Sequence, residues 1–208
     1  MPIAFPIALP AVGIRSARFL MRSVVGLARS PFTGEQQAQG HAGQWWEADI
    51  VYPPMVRAEA EGVIAFLAKL NGREGTFLMG DPDGKTPRGA AAQAPGTPLV
   101  KGAGQSGTTL VIDGAPAGTS GYLRAGDYIS LGSGLTTRLY KALEDADSDG
   151  SGTVTLTLWP SLRASPADNA PVVVSNTLGL WRLASDERAW EADAARVYGI
   201  GFTALEAL

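Results

Sequence analysis

The sequence predicts a mainly β protein, β-rich α+β in class, in which one β-rich domain with a single flanking helix is split by an inserted β domain. Three observations carry this. Residues 44–55 read as a strand closed by Pro53-Pro54 and run into one amphipathic helix; residues 99–176 are rich in Gly, Thr and Val with turn signals at short spacing; and Trp190-Glu191-Ala192-Asp193 echoes Trp46-Glu47-Ala48-Asp49. The split places residues 1–97 and 177–208 in one domain and residues 98–176, a small barrel or sandwich, in the other.

The elements follow in order. The apolar start, with Pro2, Pro6 and Pro10, lacks a basic region and cannot be a signal-peptide helix. It reads as an extended arm, either a strand lent to a neighbouring subunit or a terminus packed on its own domain. Residues 15–29 form one long or bulged strand, interrupted near Arg22-Ser23 and closed by Ser30-Pro31-Phe32-Thr33-Gly34. Residues 35–43 are polar and Gln-rich and read as a loop, and the alternation over residues 45–52 gives the next strand.

From Arg57 to Leu70, Ala60, Val63, Ile64, Phe66, Leu67 and Leu70 recur at three- and four-residue steps. Glu59 and Glu61 at its start and Lys69 at its end suit the helix dipole, and Asn71-Gly72 supplies a left-handed stop. Its apolar face should cover a sheet containing residues 76–79. After a turn-rich passage and an Ala/Gly/Pro linker come strands at 108–113, 126–131, 138–143, 153–159 and 171–174. Residues 180–183, the Trp190 segment and the alternating residues 198–207 have no helix of their own, so they should complete the sheet begun by residues 15–79.

Composition narrows function. With 208 residues and 45% hydrophobic content the chain can bury a sizeable core or two smaller ones. Seventeen basic against twenty acidic side chains leave no broad basic field to neutralise phosphates. The absence of cysteine excludes disulfides and thiolate metal sites; it fits a reducing cytoplasm and equally the outside of a cell. No window is apolar enough for a membrane span.

Several motifs imitate functional ones. Asp145-Ala146-Asp147-Ser148-Asp149-Gly150 matches the first half of a calcium loop, but the twelfth position is Leu156 and the flanks read as strands, so it is a solvated hairpin turn. Gly102-Ala103-Gly104-Gln105-Ser106-Gly107 satisfies G-x-G-x-x-G, yet a β-branched run follows where a dinucleotide site needs a helix. Gly80-Asp81-Pro82-Asp83-Gly84-Lys85-Thr86 is one residue short of a P-loop, and Pro87 prevents the helix. His41 is the single histidine, so two-histidine chemistry is impossible, and in a Gly/Gln-rich loop it reads as polar surface. The sequence therefore nominates no catalytic, cofactor-binding or metal-ligating residue, and predicts no enzyme.

Adjacent Trp45 and Trp46 in one strand must face opposite sides, so at most one enters the same core. The other covers a second layer, meets a subunit or stays exposed. Tyr122, Tyr128 and Trp159 in the inserted segment are candidates for a sugar-binding platform.

The chain resembles the distal tail and baseplate-hub proteins of long-tailed bacteriophages and prophage-derived tails. The resemblance rests on Arg29-Ser30-Pro31-Phe32-Thr33-Gly34-Glu35-Gln36-Gln37, on Gln44-Trp45-Trp46-Glu47-Ala48-Asp49 with Pro53-Pro54-Met55, and on Gly75-Thr76-Phe77-Leu78-Met79-Gly80-Asp81-Pro82. It continues through Leu123-Arg124-Ala125-Gly126-Asp127-Tyr128-Ile129, Leu158-Trp159-Pro160-Ser161-Leu162-Arg163 and Pro166-Ala167-Asp168-Asn169. The resemblance implies a tail-tube-like β-sandwich or split barrel with a flanking helix, carrying an inserted OB-like barrel. It also implies a homo-oligomeric ring, a hexamer, in the virion tail tip after synthesis in the host cytoplasm. Its partners would be the tail tube protein and baseplate hub or fibre proteins, with DNA passing through the lumen unbound and no membrane insertion. It brings no cofactor and no catalytic residue. The alternative function is a carbohydrate-binding tail module contacting the host surface.

Overall fold

The computed structural model describes residues 3–193 and 196–208. The protein is mainly β, with 41% of residues in strands and one α-helix, and among the described residues no helix is long and apolar enough to cross a membrane.

The first sheet has eight strands. β1 (Ile7–Ala8), β2 (Ser16–Arg29), β3 (Gln36–Val51), β4 (Met55–Val56) and β5 (Phe77–Met79) come from the first part of the chain. β12 (Gly179–Leu183), β13 (Trp190–Ala192) and β14 (Val197–Glu206) come from its end. The main path runs β1-β5-β12-β14-β3-β2, with β13 and β4 paired to β14. β14 is thus the zip between distant segments: Gly201 to Leu205 pair with Val51 to Glu47, and Ala204 to Glu206 pair with Leu183 to Trp181. Residues 180–207 do complete the sheet that β2, β3 and β5 begin, because the alternation that makes β14 half-buried needs a partner on each side.

The arm packs on its own sheet. Ile7 and Ala8 pair in parallel with Phe77 and Leu78, and Phe5, Ile7 and Leu9 lie against the core. Met1 and Pro2 of that arm are outside the described residues.

Helix α1 (Arg57–Leu70) buries Ala60, Val63, Phe66, Leu67 and Leu70, the stripe expected from its spacing, and Ile64 is partly buried beside them. Glu59 lies in its first turn and Lys69 in its last; Glu61 falls just beyond the first turn. Asn71 and Gly72 close it with φ of 49° and 69°, the left-handed conformation that Asn and Gly tolerate. Phe66 meets Phe77 edge-on with ring centroids 5.4 Å apart, which locks the helix to the sheet.

The second sheet has six strands, β6 (Leu99–Val100), β7 (Thr109–Asp113), β8 (Tyr128–Leu131), β9 (Arg138–Ala142), β10 (Val154–Trp159) and β11 (Val172–Val173), ordered β11-β8-β9-β10-β7-β6. Its ends approach one another through a bridge between Leu99 and Pro171 and through Val100 N–H donating to Ala170 O at 2.9 Å, so the sheet is a nearly closed barrel. The first strand of this sheet, β6, and the last, β11, are therefore neighbours. The barrel interior is filled by Leu110, Ile112, Tyr122, Leu123, Ile129, Tyr140, Val154, Leu156 and Leu158.

Residues 35–43 correct the sequence reading. Apart from Glu35, which precedes the strand, they are not a loop but the first half of β3, paired with β2 from Val25↔Gly40 to Arg29↔Gln36. Strand propensity there is poor, and the pairing is imposed by β2, whose register shift between Ser23 and Val25 is the expected bulge.

Candidate functional site

Two surfaces stand out: a ribbon that leaves the body, and a seam that fixes the barrel to the first sheet. β14 accompanies β3 only as far as Glu47, so from Gln44 outward β2 and β3 continue as a two-stranded ribbon. Every residue from Ser23 to Arg29 and from Gln36 to Gly43 is exposed.

The register gives the ribbon two unlike faces. Val25↔Gly40, Leu27↔Ala38 and Arg29↔Gln36 share one face, while Gly26↔Gln39 and Ala28↔Gln37 share the other. The first is apolar at its centre, with Val25 58% and Leu27 64% exposed; the second is small and amide-bearing. His41, expected on a loop, is on β3, and its Nε2 would lie 3.4 Å from a Cβ built at Gly26. It stands beside no group of acids or histidines able to hold a metal among the described residues.

The tip is a preset turn. Ser30 Oγ accepts from the N–H groups of Phe32 and Thr33 at 3.3 and 3.2 Å, Gly34 N–H donates to Ser30 O at 3.0 Å, and Gly34 takes a φ of 74°. Phe32 is left 94% exposed at its apex. Nearer the body the ribbon is tied across its strands by Arg22 and Glu47, Nε to Oε2 2.7 Å.

The sheet's two edges are treated differently. β1 is two residues long and lies between Pro6 and Pro10, which is how natural edges avoid unwanted pairing. β2 is fourteen residues long with no Pro and no Lys, and among the described residues no strand lies beyond it.

At the seam, Trp46 enters the core while Trp45 on the other face is half-buried, as alternation requires. Trp46 Nε1 donates to Leu139 O at 3.0 Å, its ring meets Trp159 edge-on at 4.6 Å, and Tyr128 lies 6.0 Å away. Gln44 Oε1 accepts from Ser161 N and Oγ at 2.8 and 2.9 Å. One apolar core thus runs from the first sheet into Tyr128, Leu139 and Trp159 of the barrel.

The expected sugar platform is absent: Tyr122, Tyr128 and Trp159 are all buried, the first inside the barrel and the others at the seam. Burial raises the Tyr122 phenol to about 12 and that of Tyr128 further, and Asp81 beside it pushes in the same direction. Sequence marks these rings as aromatic but not which barrel face they occupy.

The acidic turn is engaged by the protein itself. Asp145 accepts from Arg124 Nη1 at 2.7 Å and Ala125 N at 2.8 Å; Asp147 accepts from Ser120 and Gly121; Asp149 Oδ1 accepts from Ser151 N, Ser151 Oγ and Thr153 N. Their carboxylates are directed to separate donors, and those hydrogen bonds hold Asp145 and Asp149 below the usual carboxylate range. The glycines of residues 102–107 form the turn from β6 to β7, laced by Gln105, whose Oε1 accepts from Val111 N at 2.6 Å. After residues 80–86 only a three-residue 3-10 turn, Ala90–Ala92, appears.

Two features escaped sequence reasoning. Glu206 is buried in the alternating strand β14, where it accepts from Trp46 N at 3.1 Å and from Arg163. Tyr52 is buried, and its hydroxyl has no hydrogen-bond partner among the described residues. An acid at an inward β position is the one signal that could have found the first.

The chain matches none of the protein-family models searched, and no curated protein matches it either.

Proposed function

We propose that this protein is a structural subunit of a bacteriophage tail tip, assembling into a ring that joins the tail tube to the baseplate hub and fibres and leaves a lumen for DNA. One observation carries the reading. Among the described residues the β2–β3 ribbon has an unpaired outer edge on each strand, with Val25 and Leu27 of β2 exposed, and a lone two-stranded ribbon is at best marginal in water. Identical ribbons satisfy one another when the β2 edge of one copy meets the β3 edge of the next. Such a head-to-tail contact closes into a ring under cyclic symmetry, and its strands form an intermolecular barrel. A hexamer agrees with the resemblance on which the tail assignment rests.

The supporting chemistry is consistent with passage rather than capture. The Gly26, Ala28, Gln37 and Gln39 face carries no cation to hold phosphates, and the whole chain is slightly acidic. The seam would hold each barrel in one orientation at the periphery.

Electron microscopy of the purified protein tests the proposal: rings are expected, and Val25→Lys/Leu27→Lys should abolish them while leaving the thermal unfolding of the protomer unchanged. Dispersed monomers of the unsubstituted protein inside assembled particles as well as in solution would refute it.

A further inference from the structure

A cavity of about 320 Å³ opens on the barrel between the start of β9 and the 163–170 segment that leads from β10 to β11. Its walls are largely apolar, from Leu131, Tyr140, Ala164, Pro166 and Ala170, and among the described residues no carboxylate lines it. Tyr140 Oη accepts from Arg163 N at 3.2 Å, which ties the two sides together. The volume lies at the lower end of small-ligand sites.

Two arginines reach this cavity, and only one of them has a counter-ion. Arg163 is neutralised by Glu206, Nη2 to Oε2 2.6 Å. Arg138 is half-buried, and among the described residues it forms no ion pair. Asp168, next in sequence to the lining residue Ala167, is turned to other donors: its oxygens accept from Gly102 N at 2.7 Å and Asn169 Nδ2 at 2.9 Å. The lining thus keeps one unanswered positive charge against apolar walls, an arrangement that an incoming anion relieves.

The Arg138 guanidinium is held in place before any ligand arrives. Nη1 donates to Leu135 O at 3.3 Å and to Thr137 O at 3.0 Å. The turn that carries Leu135 needs Gly132, whose φ is 79° and where a Cβ would collide with Thr136 O. Nε and Nη2 donate to no acceptor among the described residues, and together they form the fork that fits both oxygens of a carboxylate. Fixing that fork in advance lowers the entropic cost of binding. Burial raises the Tyr140 phenol and Glu206 adds to this, while Arg163 and Arg138 pull it down, so the field of Arg138 reaches the cavity wall.

The walls decide between anions. A phosphate would leave charged oxygens facing Leu131, Pro166 and Ala170 with no donor to meet them. A monocarboxylate turns both oxygens to the fork and its hydrocarbon to those side chains, where burial is favourable.

We propose that this cavity is a binding site for a small organic monocarboxylate with a compact apolar body, its oxygens on Nε and Nη2 of Arg138 and its hydrocarbon against Leu131, Pro166 and Ala170. The site lies outside the β2–β3 ribbon and is independent of ring formation.

The test is ligand-observed fluorine NMR of the full chain with para-fluorobenzoate, compared with para-fluorobenzyl alcohol and para-fluorobenzylamine and challenged with hexanoate or inorganic phosphate. Saturable broadening of para-fluorobenzoate is expected, reversed by hexanoate and not by phosphate, with the alcohol and the amine bound at least about tenfold more weakly. Arg138→Gln should weaken binding about tenfold, and Arg138→Lys, which keeps the charge and loses the fork, by less. Ala167 is exposed at the rim, so Ala167→Trp remains folded even if Arg138→Gln does not, and it should block entry. Equal binding of the alcohol would show that the guanidinium selects nothing, and displacement by phosphate as readily as by hexanoate would reduce the site to a bare anion site; either overturns the proposal. So would binding unchanged in both Arg138→Gln and Ala167→Trp, or no binding of para-fluorobenzoate at about 10 mM.

Discussion

Arg163 and Glu206 form a bidentate ion pair across the seam, Nε to Oε1 3.2 Å and Nη2 to Oε2 2.6 Å, with side chains only 15% and 3% exposed. Arg163 follows the last long barrel strand and Glu206 ends β14, so the pair joins the barrel to the zip of the first sheet. The same carboxylate accepts from Trp46 N at 3.1 Å, which brings three distant segments to one charge.

Removing one member leaves the other buried without its partner. Arg163→Met is expected to cost about 3 kcal/mol in urea unfolding, and Arg163→Met/Glu206→Gln less than the sum of the two single changes. Additive losses in that double-mutant cycle would show that the pair is not coupled.

Tyr52 should be a site of gain. Its hydroxyl is buried with no partner among the described residues, so Tyr52→Phe is expected to stabilise the protein by about 1 kcal/mol at neutral pH. Burial raises the phenol to about 12 against 10.0 when unfolded. The folded state therefore favours the neutral phenol: this contribution is complete below pH 10 and is lost as pH rises toward 12. Stability measured across that window should fall less steeply in Tyr52→Phe, with Tyr122, also raised to about 12, accounting for part of the remaining slope.

At the helix end, Asn71→Ala places a β-carbon residue without Asn's tolerance at φ 49° and is expected to cost about 1 kcal/mol, whereas Asn71→Gly should be neutral or better. Thermal unfolding of the two variants distinguishes the conformational effect from loss of the side chain, because both remove the amide.

Much of the fold was legible where a local pattern and its physical cause coincide. The helix is legible because the 57–70 stripe, the terminal charges and Asn71-Gly72 all act within a few turns. The opposite placement of Trp45 and Trp46 is legible because strand alternation is strict. The β3 half from Gln36 to Gly43 was not, since Gln, Gly and Ala carry little strand preference and are held there by β2 across the ribbon. The buried positions of Tyr122, Tyr128 and Trp159 were not either, because facing in a short-stranded barrel depends on closure and on what docks against it. The cavity beside Arg138 is assembled from two separate segments, 131–140 and 163–170, which no spacing rule could gather.

The proposed edge-to-edge joint is most directly tested by disulfide trapping between copies, which the absence of native cysteine makes clean. Ala28→Cys protein, mixed and co-assembled with Gln37→Cys, Gln39→Cys or His41→Cys protein, can cross-link only between chains. Covalent dimers in at least one of these mixtures, with none from Ala28→Cys protein alone, are the expected result. Dimers from Ala28→Cys protein alone, or none in any mixture of assembled protein, would contradict head-to-tail pairing of the ribbons.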